Sequence, residues 1–452
     1  MSMRSPVGLA SLLVCLHLQA CTSGEPEAPA AVAIVYNCAA NADEIRALEA
    51  EIPEFAARTG IRIILNPFTG QEKLYAMIAA GQAPDIFYTN TVIRDRFAAE
   101  GRLLDLREVA RGDSFPERLL PGILQEGTSP DGGWYSLSNW SFTCGVYFDR
   151  KAFAEAGLRV PDSSWRWEDL RHMARSLTVD PDADGTPERY GIYIPAHFVE
   201  ALELMNGAEI DRGALCARIS DASAEVYQKY LALMDEKFMP DLRRMQALGM
   251  QPMQMLQTGR VAMLVEAVPH QGLFESVDVD LGIAPLPRFD GHTPRYFRSG
   301  SGGLSISSAT KHPREAWQAL KWIVGGASIY QPNPVLTDQD FVEGWEARYP
   351  RLLGSGFRSV WELSLRHPGG DPRFFVRFSS WTAPAILERL QPRLDQLWSR
   401  QISVAALRKA LPEINQNVGR ALRDALAQET LRPAFRAMIE QRLEEAEGGA
   451  CD

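Results

Sequence analysis

The acidic run Asp180-Pro-Asp-Ala-Asp-Gly185 is the first place in this 452-residue sequence where residue type and spacing suggest chemistry. Carboxylates alternate and glycine stands sixth, as in the first half of a calcium loop, with Glu188 at the ninth place. The twelfth place holds Gly191 where a bidentate glutamate belongs, so the run reads as a solvated turn before Tyr190-Gly-Ile192 and no metal is expected. Motifs for hydrolysis and phosphate handling are missing: the sequence has no H-E-x-x-H, G-x-S-x-G, G-x-x-x-x-G-K-[ST] or G-x-G-x-x-G. Ser299-Gly-Ser-Gly-Gly303 is glycine-rich but leads into a strand, so it offers a phosphate no helix N-terminus. None of the seven histidines forms an i, i+4 pair, and His270, His292, His312 and His367 stand beside turns, Pro or Gly, where surface positions are expected. A pair of carboxylates set for glycoside hydrolysis stays open among 57 acids. No catalytic residue and no cofactor is assigned.

Length and charge narrow the classes further. At ~150 residues per domain the chain holds roughly three domains' worth. Its 46% hydrophobic and 23% charged residues match an ordinary soluble protein with ample chain for a core. The 47 basic and 57 acidic residues give a net charge of −10. An acidic surface repels a phosphate backbone, so no nucleic-acid partner is expected. Six cysteines are too few for a disulfide framework, and no C-x-x-C pair supports a redox or zinc motif.

The one long apolar run is N-terminal. Met1 to Arg4 is short and basic, and Val7 to Leu18 is apolar throughout. Spanning a bilayer takes ~20 apolar residues, so residues 1–20 are expected to be a signal peptide. Leu18-Gln19-Ala20-Cys21 resembles the bacterial lipobox, which implies that Cys21 becomes the lipidated first residue. Residues 21–31 then form a polar, Pro-containing tether. The expected product is an extracytoplasmic protein of a bacterial cell envelope, anchored to a membrane by lipid. Cys38, Cys144, Cys216 and Cys451 remain. An oxidising envelope permits a disulfide, for which Cys38 with Cys144 is the expected pair, and buried free thiols are the alternative.

Behind the tether, strands and helices alternate. Val32 to Tyr36 reads as a buried strand ending at Asn37. Ile45, Leu48, Ile52 and Phe55 lie at helical spacing, with Pro53 expected to kink or restart the helix and Thr59-Gly60 to stop it. Ile61 to Leu65 is a second strand, a helix with Leu74, Met77 and Ile78 inward runs to about Ala80, and Asp85 to Tyr88 is a third strand. This order predicts an α/β fold with a parallel, doubly wound sheet and ligands at the strands' carboxyl ends: Asn37, the turn near Asn66, and Tyr88 to Thr91. Val404, Leu407 and Leu411, then Ile414, Val418 and Leu422, suit paired helices, and the acidic tail from Glu444 to Asp452 is expected to fray.

The order of short segments resembles a known family. Glu54-Phe-Ala-Ala-Arg-Thr-Gly-Ile-Arg-Ile63 and Gly81-Gln-Ala-Pro-Asp-Ile86 are followed by Gly101-Arg-Leu-Leu-Asp-Leu106 and Gly145-Val-Tyr-Phe-Asp149. Then come Trp167-Glu-Asp-Leu170, Gly259-Arg-Val-Ala-Met263, Ala284-Pro-Leu-Pro287, Gly303-Leu-Ser-Ile306 and Pro313-Arg-Glu-Ala-Trp317. Together they resemble bacterial extracellular solute-binding proteins, in particular the sugar-binding group of ABC importers typified by maltose-binding protein. Each segment is weak alone, and most of them read as fold chemistry.

The resemblance implies a two-lobed periplasmic-binding-protein fold of type II, each lobe a mainly parallel doubly wound sheet, with a C-terminal helical region. Chain crossings are expected near 143–147, 262–268 and 300–306. Lobe one would comprise 32–143 plus 267–303, lobe two 146–262 plus 306–447, and 448–452 a tail. The implied function is capture of a carbohydrate between the lobes by a monomeric lipoprotein and its delivery to an ABC permease, with no chemistry of its own. A glycerol phosphate, polyamine or metal chelate is the alternative solute, and an envelope carbohydrate-active enzyme the alternative class. A sugar wants flat aromatic platforms beside hydroxyl-binding polar groups. The residues expected to supply them are Asn37, Tyr88, Asn90, Thr91, Trp140, Thr143, Phe198, Glu266, Arg298 and Trp381. Relatives often carry Asp where Thr143 stands, and Glu266 replaces their common G-x-W.

Overall fold

The computed structural model describes residues 32–38, 42–67, 70–120, 122–209, 214–269, 279–296, 299–300, 302–327, 334–366 and 377–451. Residues 1–31, where the signal, lipidated Cys21 and tether are expected, lie outside the described residues, as does Arg298.

Two sheets organise the chain. In the first, β1 (Val32–Cys38) is the central parallel strand between β2 (Ile61–Pro67) and β3 (Ile86–Thr89). Helix α1 (Ala42–Thr59) joins β1 to β2 and helix α2 (Gln71–Ala79) joins β2 to β3, so the expected alternation is present. Pro53 does not interrupt α1. It lies on the exposed face beside exposed Glu49, so water can serve the carbonyl that loses its helical partner. Helix α3 (Thr91–Ala99) follows β3 directly.

The second sheet is built on β4 (Ser141–Asp149), a strand buried along almost its whole length. Its neighbours β5 (Met263–Val268) and β6 (Leu281–Pro285) both run antiparallel to it. Parallel pairing enters this lobe only through bridges such as Tyr190 to Val261 and Tyr193 to Leu264, among the described residues. The expectation of a mainly parallel sheet therefore holds for the first lobe and needs correction for the second. Helices α4 (Val199–Met205) and α5 (Asp221–Asp235) cover it.

The chain passes between the sheets on adjacent backbones. Short strand β7 (Ser299–Gly300) pairs antiparallel with Ser141 and Phe142, and Leu137 bridges Leu304. Strand β8 (Gly303–Ile306) then adds antiparallel to β3 in the first sheet, giving the order β2-β1-β3-β8. Two expected boundaries change as a result. Residues 281–285 belong to the second sheet, because they pair with β4. Residues 303–327, with Val335 and Leu336, belong with the first lobe: helix α6 (Pro313–Gly325) packs Ala316, Trp317, Leu320 and Ile323 into the core formed by Ile34, Ile63, Ile86 and Ile306.

Beyond this, α7 (Phe357–Arg366), α8 (Ala383–Trp398), α9 (Val418–Leu426) and α10 (Pro433–Glu445) complete the second lobe. The expected Cys38–Cys144 pair is not formed. Cys38 lies in the core of the first sheet and Cys144 in that of the second, both as buried free thiols. The disulfide joins Cys216 to Cys451, with Cα atoms 5.5 Å apart. It pins the tail that was expected to fray, and a π-helical turn at Ala446–Ala450 carries α10 to it. No helix among the described residues is long and apolar enough to cross a membrane.

Candidate functional site

The carboxyl ends of the first sheet converge as the doubly wound topology requires. Asn37 faces Asn66 in the β1–β2 register, and its Nδ2 donates to the Asn66 carbonyl at 3.2 Å. Asn37 is buried, and its Oδ1 has no hydrogen-bond partner among the described residues. Tyr88 leaves β3 beside Gly302, whose φ of +103° and close backbone require glycine. A Cβ there would come within 2.7 Å of the Thr89 carbonyl and 2.8 Å of the Tyr88 hydroxyl. Burial, and then the Glu126 charge, raise the Tyr88 pKa above the ordinary phenol value. Ser138 Oγ donates to the Gly302 carbonyl at 2.6 Å. Asn90 caps α3, its Oδ1 accepting from the Ile93 amide at 2.9 Å, and Thr91 is buried in the first turn.

Trp140 and Thr143 lie where β4 enters the second sheet. Trp140 is half-buried with its ring edge-on to Trp345 at 5.6 Å, and Thr143 is fully buried opposite Val268. Glu266 sits opposite Gly145, half-buried, with Oε1 accepting from the Ala267 amide at 2.7 Å. Burial raises its pKa above the ordinary carboxylate value, outweighing that hydrogen bond.

Two further expected site residues are buried among apolar side chains. Phe198 is 2% exposed in the second-lobe core, and Trp381 is 6% exposed with its ring edge-on to Phe435. Both fill core volume and neither walls an open surface. The exposed side chains next to Phe198 are Ala196 and His197. With Val92 of α3 they help line a cavity of about 480 Å³ that touches both lobes.

This cavity reaches between α4, α5 and α8 to an ion pair of buried Glu203 with half-buried Arg377. Arg377 grips Glu203 in a two-pronged contact, Nη1 to Oε2 at 3.0 Å and Nη2 to Oε1 at 3.1 Å. Burial works against the Arg377 charge, but Glu203, Tyr227 and Glu200 outweigh it and hold its pKa well above the ordinary value. Tyr227 is pushed up by burial first and by Glu203 second. The sequence carried a signal for this pair. Glu203 stands alone in Ala201-Leu202-Glu203-Leu204-Met205, all buried, and a carboxylate inside an apolar helix needs a cationic partner.

The Asp180–Asp184 turn keeps its carboxylates within 4.8 Å of one another. Asp180 and Asp184 accept from the turn's own Gly185 and Thr186 amides. At the convergence of β1, β2 and β3 the described hydroxyl, amide and aromatic groups suit non-covalent contact with a polar solute.

Comparison with known proteins agrees with this architecture. The chain is 23% identical over 214 residues to the sn-glycerol-3-phosphate-binding periplasmic protein UgpB of Rhizobium meliloti, a match spanning 46% of this chain and 50% of that protein. Among solved structures it is similar to the ABC substrate-binding protein Lmo0181 from Listeria monocytogenes in complex with cycloalternan (TM-score 0.68, 18% identity, 86% of this chain and 99% of that one). It is also similar to the maltose/maltodextrin-binding domain MalE from Bdellovibrio bacteriovorus bound to maltotriose (TM-score 0.62, 17% identity, 87% and 100%). A third is a solute-binding protein from Agrobacterium vitis S4 with bound D-mannitol (TM-score 0.61, 16% identity, 87% and 99%). These neighbours share the two-lobed type II periplasmic-binding-protein fold. Residues 40–325 match the family model for the bacterial extracellular solute-binding protein, and the chain belongs to that family.

Proposed function

We propose that this protein binds a carbohydrate between its two lobes and delivers it to the membrane subunits of an ABC importer. The observation that carries this reading is the placement of Asn37, Tyr88, Asn90 and Thr91 at the carboxyl ends of β1 and β3 and the start of α3, in a fold whose solved neighbours hold cycloalternan, maltotriose and D-mannitol. A half-buried Trp140 and carboxylate Glu266 on the facing lobe supply an aromatic surface and a hydroxyl acceptor. Unpaired polar groups in such a site penalise the wrong hydroxyl pattern, which gives specificity. Contacts with both lobes favour the closed arrangement by population shift. The lipobox at Cys21 would tether the mature protein to the membrane and raise its concentration at the permease. No chemistry is assigned to the protein itself.

The similarity to a glycerol-phosphate-binding protein favours one second reading, a phosphorylated polyol as solute. Thermal denaturation with a panel of neutral oligosaccharides, polyols and sn-glycerol 3-phosphate separates the two. A bound solute at a hundredfold excess over its Kd adds about 2.7 kcal/mol. The proposal expects a raised Tm with at least one neutral carbohydrate, recovered unchanged. A rise with glycerol phosphate alone supports the second reading, and conversion of any sugar contradicts both.

A further inference from the structure

Helix α3 continues the first sheet, yet its apolar side chains Ile93, Phe97, Ala98 and Ala99 share a core with the second lobe. Two polar contacts from the C-terminal region, beyond the 40–325 family match, fix it there. Asp95 is 3% exposed, and its two oxygens divide between the lobes. Oδ1 accepts from Arg94 Nη2 at 2.8 Å and from Ser129 Oγ at 2.6 Å, both within the first lobe. Oδ2 accepts from Ser380 Oγ at 2.6 Å, and Ser380, itself 4% exposed, stands just before α8. At the other end of α3, the Arg432 amide donates to the Ala99 carbonyl at 2.9 Å. Arg432 Nη1 donates to the Tyr135 hydroxyl at 2.8 Å, and that hydroxyl donates to Asp131 at 2.8 Å.

We propose that Ser380 and Arg432 form a latch on α3 that stabilises the closed arrangement of the lobes, with Asp95 as its positioning residue. The inference rests on the reading of the protein as a hinged solute-binding protein. Separation of the lobes wets both Asp95 Oδ2 and Ser380 Oγ, so each exchanges its partner for water at little cost. Closure without the hydroxyl leaves Oδ2 buried and unsatisfied, a penalty paid in the closed form alone. Arg94, bound to the Glu126 and Thr128 carbonyls, holds the carboxylate in place from the first-lobe side.

The test compares wild type with Ser380→Ala, Ser380→Thr and Arg432→Met by small-angle scattering without solute and by titration with whichever panel solute binds. The latch predicts a larger radius of gyration for Ser380→Ala and Arg432→Met, a solute Kd weakened about tenfold, and recovery of both in Ser380→Thr. Unchanged scattering and affinity in folded Ser380→Ala and Arg432→Met overturn it. A lowered Tm with wild-type scattering and affinity overturns it too, by assigning these contacts to stability alone. The scattering arm needs no ligand, so it decides the latch even if every panel solute fails to bind and the function proposal falls.

Discussion

Glu266 and Asn90 show how far a candidate binding residue is also a structural one. Burial raises the Glu266 pKa, so folding makes its proton harder to lose. The sign follows by linkage: this group favours folding below its ordinary value of 4.5, and that contribution is lost as pH rises through the raised folded value. Glu266→Gln, which keeps an acceptor for the Ala267 amide, is expected to be more stable than wild type at pH 7 and equal to it near pH 4. Urea denaturation across that range checks this, and a pH-independent difference would refute it. Asn90 spends its Oδ1 on the α3 cap. Asn90→Ala is expected to lose about 1 kcal/mol of stability. Asn90→Asp keeps the cap and the favourable charge at a helix start, so it should keep the Tm while weakening solute binding through loss of the Nδ2 donors. Phe198 and Trp381 are buried, and aromatic type in the sequence does not distinguish a core ring from a cleft wall. The lone acid Glu203 was the more informative residue, since its environment demanded Arg377.

At the scale of elements, what could be read from the sequence divides by range. β1, α1, β2, α2 and β3 followed from apolar spacing and local stop signals within about 60 residues of chain, and their bounds moved by only a few positions. The second sheet did not follow, because β4 selects partners at 263–268 and 281–285, more than a hundred residues away. Nothing local in Leu281 to Pro285 says which of two sheet edges it joins. The tail is a similar case. Its glycines and acids suggested fraying, but Cys451 is covalently joined to Cys216. Asn415 bonds both polar groups of the Ala217 backbone, at 2.8 and 3.1 Å, and the Cys451 carbonyl at 3.3 Å. Cys451→Ser with Cys216→Ser is expected to cost about 2–4 kcal/mol, measured as the denaturant midpoint, and dithiothreitol should bring wild type to the same value. Cys38 should take no part in this, since burial pushes its thiol up to about 11.

For the whole molecule, family and fold class were legible in the order of short motifs, whereas the lobe boundaries were not. The chain weaves so that α6 returns to the first lobe after the last passage through β7 and β8. Between the lobes, α3 and the C-terminal helices form a contact that any opening motion has to disturb. Small-angle scattering of the protein during titration with neutral oligosaccharides tests closure around a carbohydrate most directly. The account predicts a saturable fall in the radius of gyration with at least one sugar, which is recovered chemically intact. No change with any sugar, alongside contraction with sn-glycerol 3-phosphate, would contradict it.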